Sequence, residues 1–231
     1  MADHPHSHAH PPHLQGVALP PQSGKPPASV VVLLHGVGAD ANDLIGLAPY
    51  WSPALPDTEF VSPHAPYPYD MAPMGRQWFS LQDRSPAAIL AGIQQAAPSL
   101  DHFLDELLAA RGLDDSRLAL VGFSQGTMMS LYTGLRRARA PACIVGYSGA
   151  LAGAALLANE IRCRPPVLLI HGEDDPVVPF ISLDAAVKTL TAVGVTVESL
   201  ARPGLGHSID EEGLQRGGEF LRSALGGKAN A

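Results

Sequence analysis

Gly122-Phe123-Ser124-Gln125-Gly126 is the stretch of this chain best suited to covalent chemistry. A serine hydroxyl becomes a useful nucleophile only when a neighbouring base takes its proton. Ser124 follows a β-compatible apolar run, Leu118-Ala119-Leu120-Val121, and precedes a helix-compatible run over residues 127–137. Strand, sharp turn and helix in that order make a nucleophile elbow, which presents the hydroxyl at the end of a strand. The flanking glycines let neighbouring backbone come close without a Cβ in the way. The pentapeptide alone arises by chance roughly 0.2 times in a chain of this length, so its setting decides. Gly146-Tyr147-Ser148-Gly149-Ala150 also follows an apolar run, but it ends in alanine. Ser148 reads as a structural turn serine.

An elbow serine needs an acid and a base later in the chain, in the order serine, carboxylate, histidine. Two histidines follow Ser124. His171 precedes the acidic candidates, so that order excludes it. His207 sits in a Gly/Pro loop between an apolar strand over residues 195–200 and an amphipathic terminal helix bearing Leu214, Phe220, Leu221 and Leu225. Such a loop can carry an imidazole back over a sheet edge. Three carboxylates, Glu173, Asp174 and Asp175, follow the strand-like Val167-Leu168-Leu169-Ile170. Asp175 is the chosen acid: Pro176 fixes the chain just after it, and Val177-Val178-Pro179 is apolar enough to bury a packed loop. Asp174 is the alternative. The acid would accept the Nδ1–H of His207, set its tautomer and stabilise the imidazolium. The oxyanion needs two preorganised N–H donors. One is the amide of Gln125. The other is the amide of Val37, in the glycine-bearing loop after the apolar strand Val30-Val31-Val32-Leu33-Leu34.

The positions around these residues carry a resemblance. His35-Gly36-x-Gly38-x-Asp40, Arg76-x-Trp78-Phe79, Gly122-Phe123-Ser124-Gln125-Gly126, Ser148-Gly149, His171-Gly172-x-x-Asp175-Pro176-Val177-Val178-Pro179 and Gly206-His207-Ser208 occur in that order. Over residues 28–225 the chain resembles the phospholipase/carboxylesterase family of small α/β-hydrolases, which includes acyl-protein thioesterases and bacterial carboxylesterases. The resemblance implies Ser124, Asp175 and His207 as a triad, with Val37 and Gln125 as oxyanion donors. It also implies ester or thioester substrates, from short-chain esters and lysophospholipids to acylated proteins, and no cofactor. The chain departs from the family in its His/Pro-rich start. It departs again at Pro98, within a helix that the family runs unbroken.

The remaining elements must position that set. Strand-like segments at 30–34, 58–62, 142–147, 167–170 and 195–200 alternate with helical ones. Ser85-Pro86 starts a helix. Apolar residues from Ile89 to Leu108 continue it at helical spacing, with Pro98 expected to kink or split it. Residues 180–193 read as another helix. Alternation of this kind implies an α/β-hydrolase fold, a mostly parallel sheet with helices on both faces. Residues 63–84 form an unusually long connection holding Met71, Met74, Trp78 and Phe79. Long connections of this kind are often lids. These four side chains are the expected acyl-binding wall.

With 231 residues, 46% of them apolar, and a formal net charge of −7, the chain suits one sizeable core and no phosphate backbone. No apolar run reaches the ~18 residues that span a bilayer, and residues 1–16 lack a signal-peptide core. A cytoplasmic location without membrane insertion is expected. Residues 1–27 are His- and Pro-rich and read as a disordered tail before a single domain over 28–226. His4, His6, His8, His10 and His13 could take up a transition metal there, but no accompanying ligand cluster makes a fixed metal site. Cys143 reads as a buried hydrophobe. Cys163, between Arg162 and Arg164, has neighbours that favour its thiolate.

Overall fold

The computed structural model describes residues 12–226. Seven strands form one sheet in the order β1-β3-β2-β6-β7-β8-β9. β2 (Ser29–Leu34) and β3 (Thr58–Pro63) lie on one side of the chain's reversal. β6 (Leu118–Phe123), β7 (Cys143–Tyr147), β8 (Val167–Gly172) and β9 (Val197–Arg202) follow on the other. All of these pair in parallel. β1 (Gly16–Leu19) adds an antiparallel edge strand to β3.

The run of valines and leucines in β2 explains the layering. Val30, Val32 and Leu34 enter one core, and Val31 and Leu33 enter the other, all of them fully buried. A strand buried on both faces requires helices on both sides of the sheet. The first core packs against α3 (Pro86–Arg111), α4 (Gln125–Gly134) and α6 (Ile181–Ala192). The second packs against the short helices α1 (Ala41–Leu44) and α2 (Ala48–Trp51) and against α7 (Glu211–Gly226). One further helix, α5 (Ala154–Glu160), follows β7.

Three expectations need correction. First, Pro98 does not split α3, which runs 26 residues from its Ser85 cap to the left-handed Gly112. Pro98 and Gln94 are exposed while Ile93, Ala96, Leu100 and Leu104 are buried. The carbonyl that proline leaves unpaired therefore faces water, and burial of the opposite face offsets the ~3 kcal/mol proline cost. Second, residues 16–27 are not a tail. Leu14 is buried, and β1 pairs Gly16 to Leu19 with Pro63 to Phe60. A four-residue edge strand with half-exposed side chains gives too weak a pattern to read from sequence. His4, His6, His8 and His10 lie outside the described residues; His13 meets Glu106 at 3.2 Å. Third, burial and Asp115 raise the Cys163 thiol pKa despite the nearby arginines, so the thiol form is favoured. Burial pushes Cys143 up to about 12.

The seam between β1 and β3 leaves no room for a side chain at position 16: a Cβ there would overlap the Ser62 carbonyl. Gly16→Val is expected to loosen this edge at a cost of about 1–3 kcal/mol. At roughly 2–4 °C per kcal/mol, calorimetry should register a fall of several degrees in Tm.

Candidate active site

The chain runs from β2 to its neighbour β3 on one side, then crosses to β6 on the other side of β2. The ends of β2 and β6 therefore flank the point where strand order reverses, the crevice in which open α/β sheets bind ligands. Ser124 stands there, between β6 and α4, at φ 55° and ψ −116°. Positive φ is costly for a residue with a Cβ, and the surroundings hold it. Its N–H donates to the Tyr147 carbonyl at 2.9 Å, and its carbonyl accepts from Thr127 and Met128. Thr127 Oγ1 donates to the carbonyls of Gly122 and Tyr147. Gly126 is required by close approach, since a Cβ there would overlap the Leu34 carbonyl.

His207 and Asp175 meet across two loops. His207 Nδ1 lies 2.7 Å from Asp175 Oδ2. The other carboxylate oxygen accepts the amides of Val177 at 2.8 Å and Val178 at 2.9 Å. Burial opposes charge on Asp175, but the hydrogen bonds from His207, Val178 and Val177 outweigh it and hold the carboxyl below its usual range. Asp174 is exposed, and its amide donates to the Leu205 carbonyl, away from the imidazole. The Phe123 ring lies 4.8 Å from the His207 ring, which links the elbow to the His207 loop. The start of α7 secures the histidine loop. Tyr147 Oη donates to the Gly213 carbonyl at 3.0 Å, and Trp51 Nε1 donates to that of Leu214 at 2.9 Å. Ser148, also at positive φ (47°), donates its amide to the Ile170 carbonyl, and its hydroxyl lies 3.5 Å from the Ser208 carbonyl.

The loop after β2 is built to hold an amide in place. Gly36 packs so close to the elbow that a Cβ there would lie 3.4 Å from the Ser124 Cβ. His35 is buried and accepts the Ala65 amide at Nε2, so its proton sits on Nδ1 and is donated to the Gly36 carbonyl at 2.7 Å. Burial, the main influence, lowers its pKa and keeps it neutral. The Gly38 amide donates to the Arg76 carbonyl, and the Arg76 amide to that of Ala39. Among the described residues the Val37 amide donates to no protein acceptor. The support from His35 and Arg76 was not assigned from sequence, although both residues stand in the motifs quoted above. Their roles depend on contacts across 30 and 11 residues, respectively.

The long connection is stapled rather than loose. β4 (Tyr67–Pro68) and β5 (Arg76–Gln77) pair within it, and the Arg76 guanidinium holds the Ala65 and Pro66 carbonyls. Trp78 does not fit the expected acyl wall. Its side chain is 0% exposed, and its Nε1 donates to the His35 carbonyl at 3.0 Å. Its amide donates to Gln125 Oε1, while Gln125 Nε2 donates to the Phe79 carbonyl at 2.8 Å. Trp78 is thus tied to both proposed oxyanion donors, by its indole to the end of β2 before Val37 and by its backbone amide to the Gln125 side chain. A buried indole is anchored by its volume and its N–H, neither of which sequence distinguishes from a pocket lining. Phe79 borders a groove of about 590 Å³ together with Tyr67, Gln77, Gly92 and Gln95. Met71 and Met74 project from the loop tip, 63% and 81% exposed.

Among the described residues, no group of three or more His, Cys, Asp or Glu side chains could hold a metal ion, and no helix is long and apolar enough to cross a membrane.

A mostly parallel sheet covered on both faces, with an elbow serine at its reversal point, defines an α/β-hydrolase. The profile of the phospholipase/carboxylesterase family matches residues 21–225, and the chain belongs to that family. It is 28% identical over 201 residues to the esterase YpfH of Escherichia coli (strain K12), spanning 87% of this chain and 85% of that protein. Acyl-protein thioesterase 1 of Schizosaccharomyces pombe (strain 972 / ATCC 24843) is 30% identical, over 86% of this chain and 92% of its own length. The crystal structure of esterase PE8 superposes with a TM-score of 0.89 at 44% identity, covering 92% of this chain and all of that one. The protein is a carboxylic ester hydrolase.

Two substitutions separate the roles of these side chains. Asp175→Asn is expected to reduce kcat severely, whereas Asp174→Asn should leave it near wild type; steady-state kinetics on one soluble ester compares them. Trp78→Phe removes the N–H that holds the His35 carbonyl. It should lower kcat by a similar factor for acetyl and longer acyl esters, because the indole supports the loop and meets no acyl chain. A loss that grows with chain length would return Trp78 to the acyl wall.

Proposed function

We propose that this hydrolase cleaves carboxylic esters through an acyl-enzyme on Ser124. The single observation that best supports this is the 2.7 Å pairing of His207 with a buried, amide-ligated Asp175, alongside an elbow serine held at positive φ. In this reading His207 Nε2 takes the Ser124 proton as Oγ attacks the carbonyl carbon. Nδ1–H stays on Asp175, which stabilises the imidazolium. Negative charge on the tetrahedral oxygen is met by the Val37 and Gln125 amides, the latter at the N-terminus of α4. His207 then protonates the departing alkoxide, the C–O bond breaks, and the acyl group remains on Ser124. Water, deprotonated by the same imidazole, attacks the acyl-enzyme and releases the acid. No cofactor or metal enters the cycle.

Short- to medium-chain acyl esters are the proposed substrates, with lysophospholipids among them. The groove bordered by Tyr67 and Phe79, and the exposed Met71 and Met74 at the loop tip, are the proposed contact surfaces for the acyl group. The similarity to an acyl-protein thioesterase supports a second reading, in which the same residues cleave a thioester of an acylated protein. Transfer to an acceptor other than water would use the same acyl-enzyme. A cytoplasmic setting agrees with the absence of a membrane-spanning helix among the described residues.

Ser124→Ala is expected to cost on the order of 10⁶ in kcat, as loss of a triad nucleophile does, with an unchanged Tm. It should also abolish labelling by a fluorophosphonate. Retention of more than a tenth of the activity would point to another nucleophile, with Ser148 tested next. For the wild type, kcat/KM should rise with pH through one ionisation and level off once the base is neutral; EDTA should have no effect. A panel of oxygen esters and thioesters of graded chain length then ranks the two substrate readings.

A further inference from the structure

A second histidine meets the acid. His171 lies at the end of β8, buried, with Nε2 2.9 Å from the Val178 carbonyl and 3.3 Å from Asp175 Oδ2. A carbonyl can only accept, so Nε2 carries a proton. That N–H is donated to the carbonyl, and its polarised edge lies beside the carboxylate oxygen. With the Val177 and Val178 amides on Oδ1 and His207 on Oδ2, three donors converge on one side chain that has no exposed surface, and the His171 edge lies beside them. We propose that His171 is a positioning residue, a second imidazole that locks the Asp175 loop to β8 through the Val178 carbonyl and whose N–H edge offsets part of the carboxylate's charge. Less of that charge then acts on His207. The inference rests on the roles given above to Asp175 and His207.

The consequence has a definite sign. Each donor or polarised N–H edge beside a carboxylate stabilises its charge and weakens its pull on the others. With the His171 N–H removed, Asp175 holds the His207 imidazolium more strongly, and the base becomes neutral only at higher pH. The charged and titratable groups on the surrounding elements stay as they are. Glu173 and Asp174 in the loop and Asp184 on α6 are exposed. Arg202 on β9 pairs with Asp210 and Glu212. Tyr147 on β7 is buried, its hydroxyl bonded to Gly213, and burial raises its pKa further. The Phe180 ring, at the start of α6, meets His171 edge-on at 6.1 Å, and Phe123 covers His207.

The test compares His171→Leu and His171→Gln with wild type, using p-nitrophenyl acetate. Leucine has no donor; the glutamine amide can put an N–H where Nε2 was. The acid limb of kcat/KM should move up by about half a pH unit or more in the leucine variant and return to wild type in the glutamine variant. Tm is recorded for both, and His171→Met replaces the leucine variant if that does not fold. A limb that stays in place without the donor, or moves equally in the leucine and glutamine variants, overturns the proposal. Fluorophosphonate labelling of wild type and Ser124→Ala distinguishes the two levels. An unlabelled wild type means that the triad reading has failed. A labelled wild type with an unmoved limb in the leucine variant means that only the role of His171 has failed.

Discussion

The turn between β6 and α4 lies so close to the end of β2 that a Cβ at position 126 would overlap the Leu34 carbonyl. That contact holds Ser124 within reach of Gly36 and sets the distance between the proposed nucleophile and the loop bearing Val37. It also explains why Ser124 adopts a backbone conformation that costs an ordinary residue of order 1–3 kcal/mol. The strain persists because its surroundings over-determine it. The serine amide is bonded to β7, its carbonyl to the first turn of α4, and the Thr127 hydroxyl bridges β6 and β7. None of these partners can move without disturbing a strand that is buried on both faces.

Two loops from opposite sides of the reversal point depend on that arrangement. On the β2 side, a neutral histidine, an indole N–H and the Arg76 backbone hold the loop bearing Val37 by four separate hydrogen bonds. On the β8 side, the Asp175 carboxylate is enclosed by donors before His207 reaches it. A buried carboxylate without such partners would take up a proton. The amides of Val177 and Val178 join His207 in keeping it ionised. Phe123 touches both sides, against Gly36 and against the His207 ring.

Gln125 shows how few residues join these parts. Its amide opens α4, and its side chain holds the backbone of Trp78 and Phe79 on both faces of the amide group. The long connection is therefore tied directly to the residue after the proposed nucleophile. The loop tip, with Met71 and Met74 exposed, extends beyond that tie.

The sequence by itself determined the chemistry and the class of fold. Residue types at a strand–turn–helix junction, a carboxylate cluster after a later strand and a histidine in the last loop suffice to propose an acid and a base, because chain order is part of the motif. Continuous apolar runs identify a sheet buried on both faces, because a strand has only two faces to bury. Tertiary structure decided what depends on contacts between distant segments. It drew Gly16–Leu19 into the sheet, through pairing with β3 that a short, half-exposed strand does not advertise. It left α3 continuous across Pro98, because packing of the opposite face outweighs local propensity. It also turned Trp78 inward against His35 and set His171 against Asp175. A side chain's type states which bonds it can make, and only the packed fold determines which partner is near enough to make them.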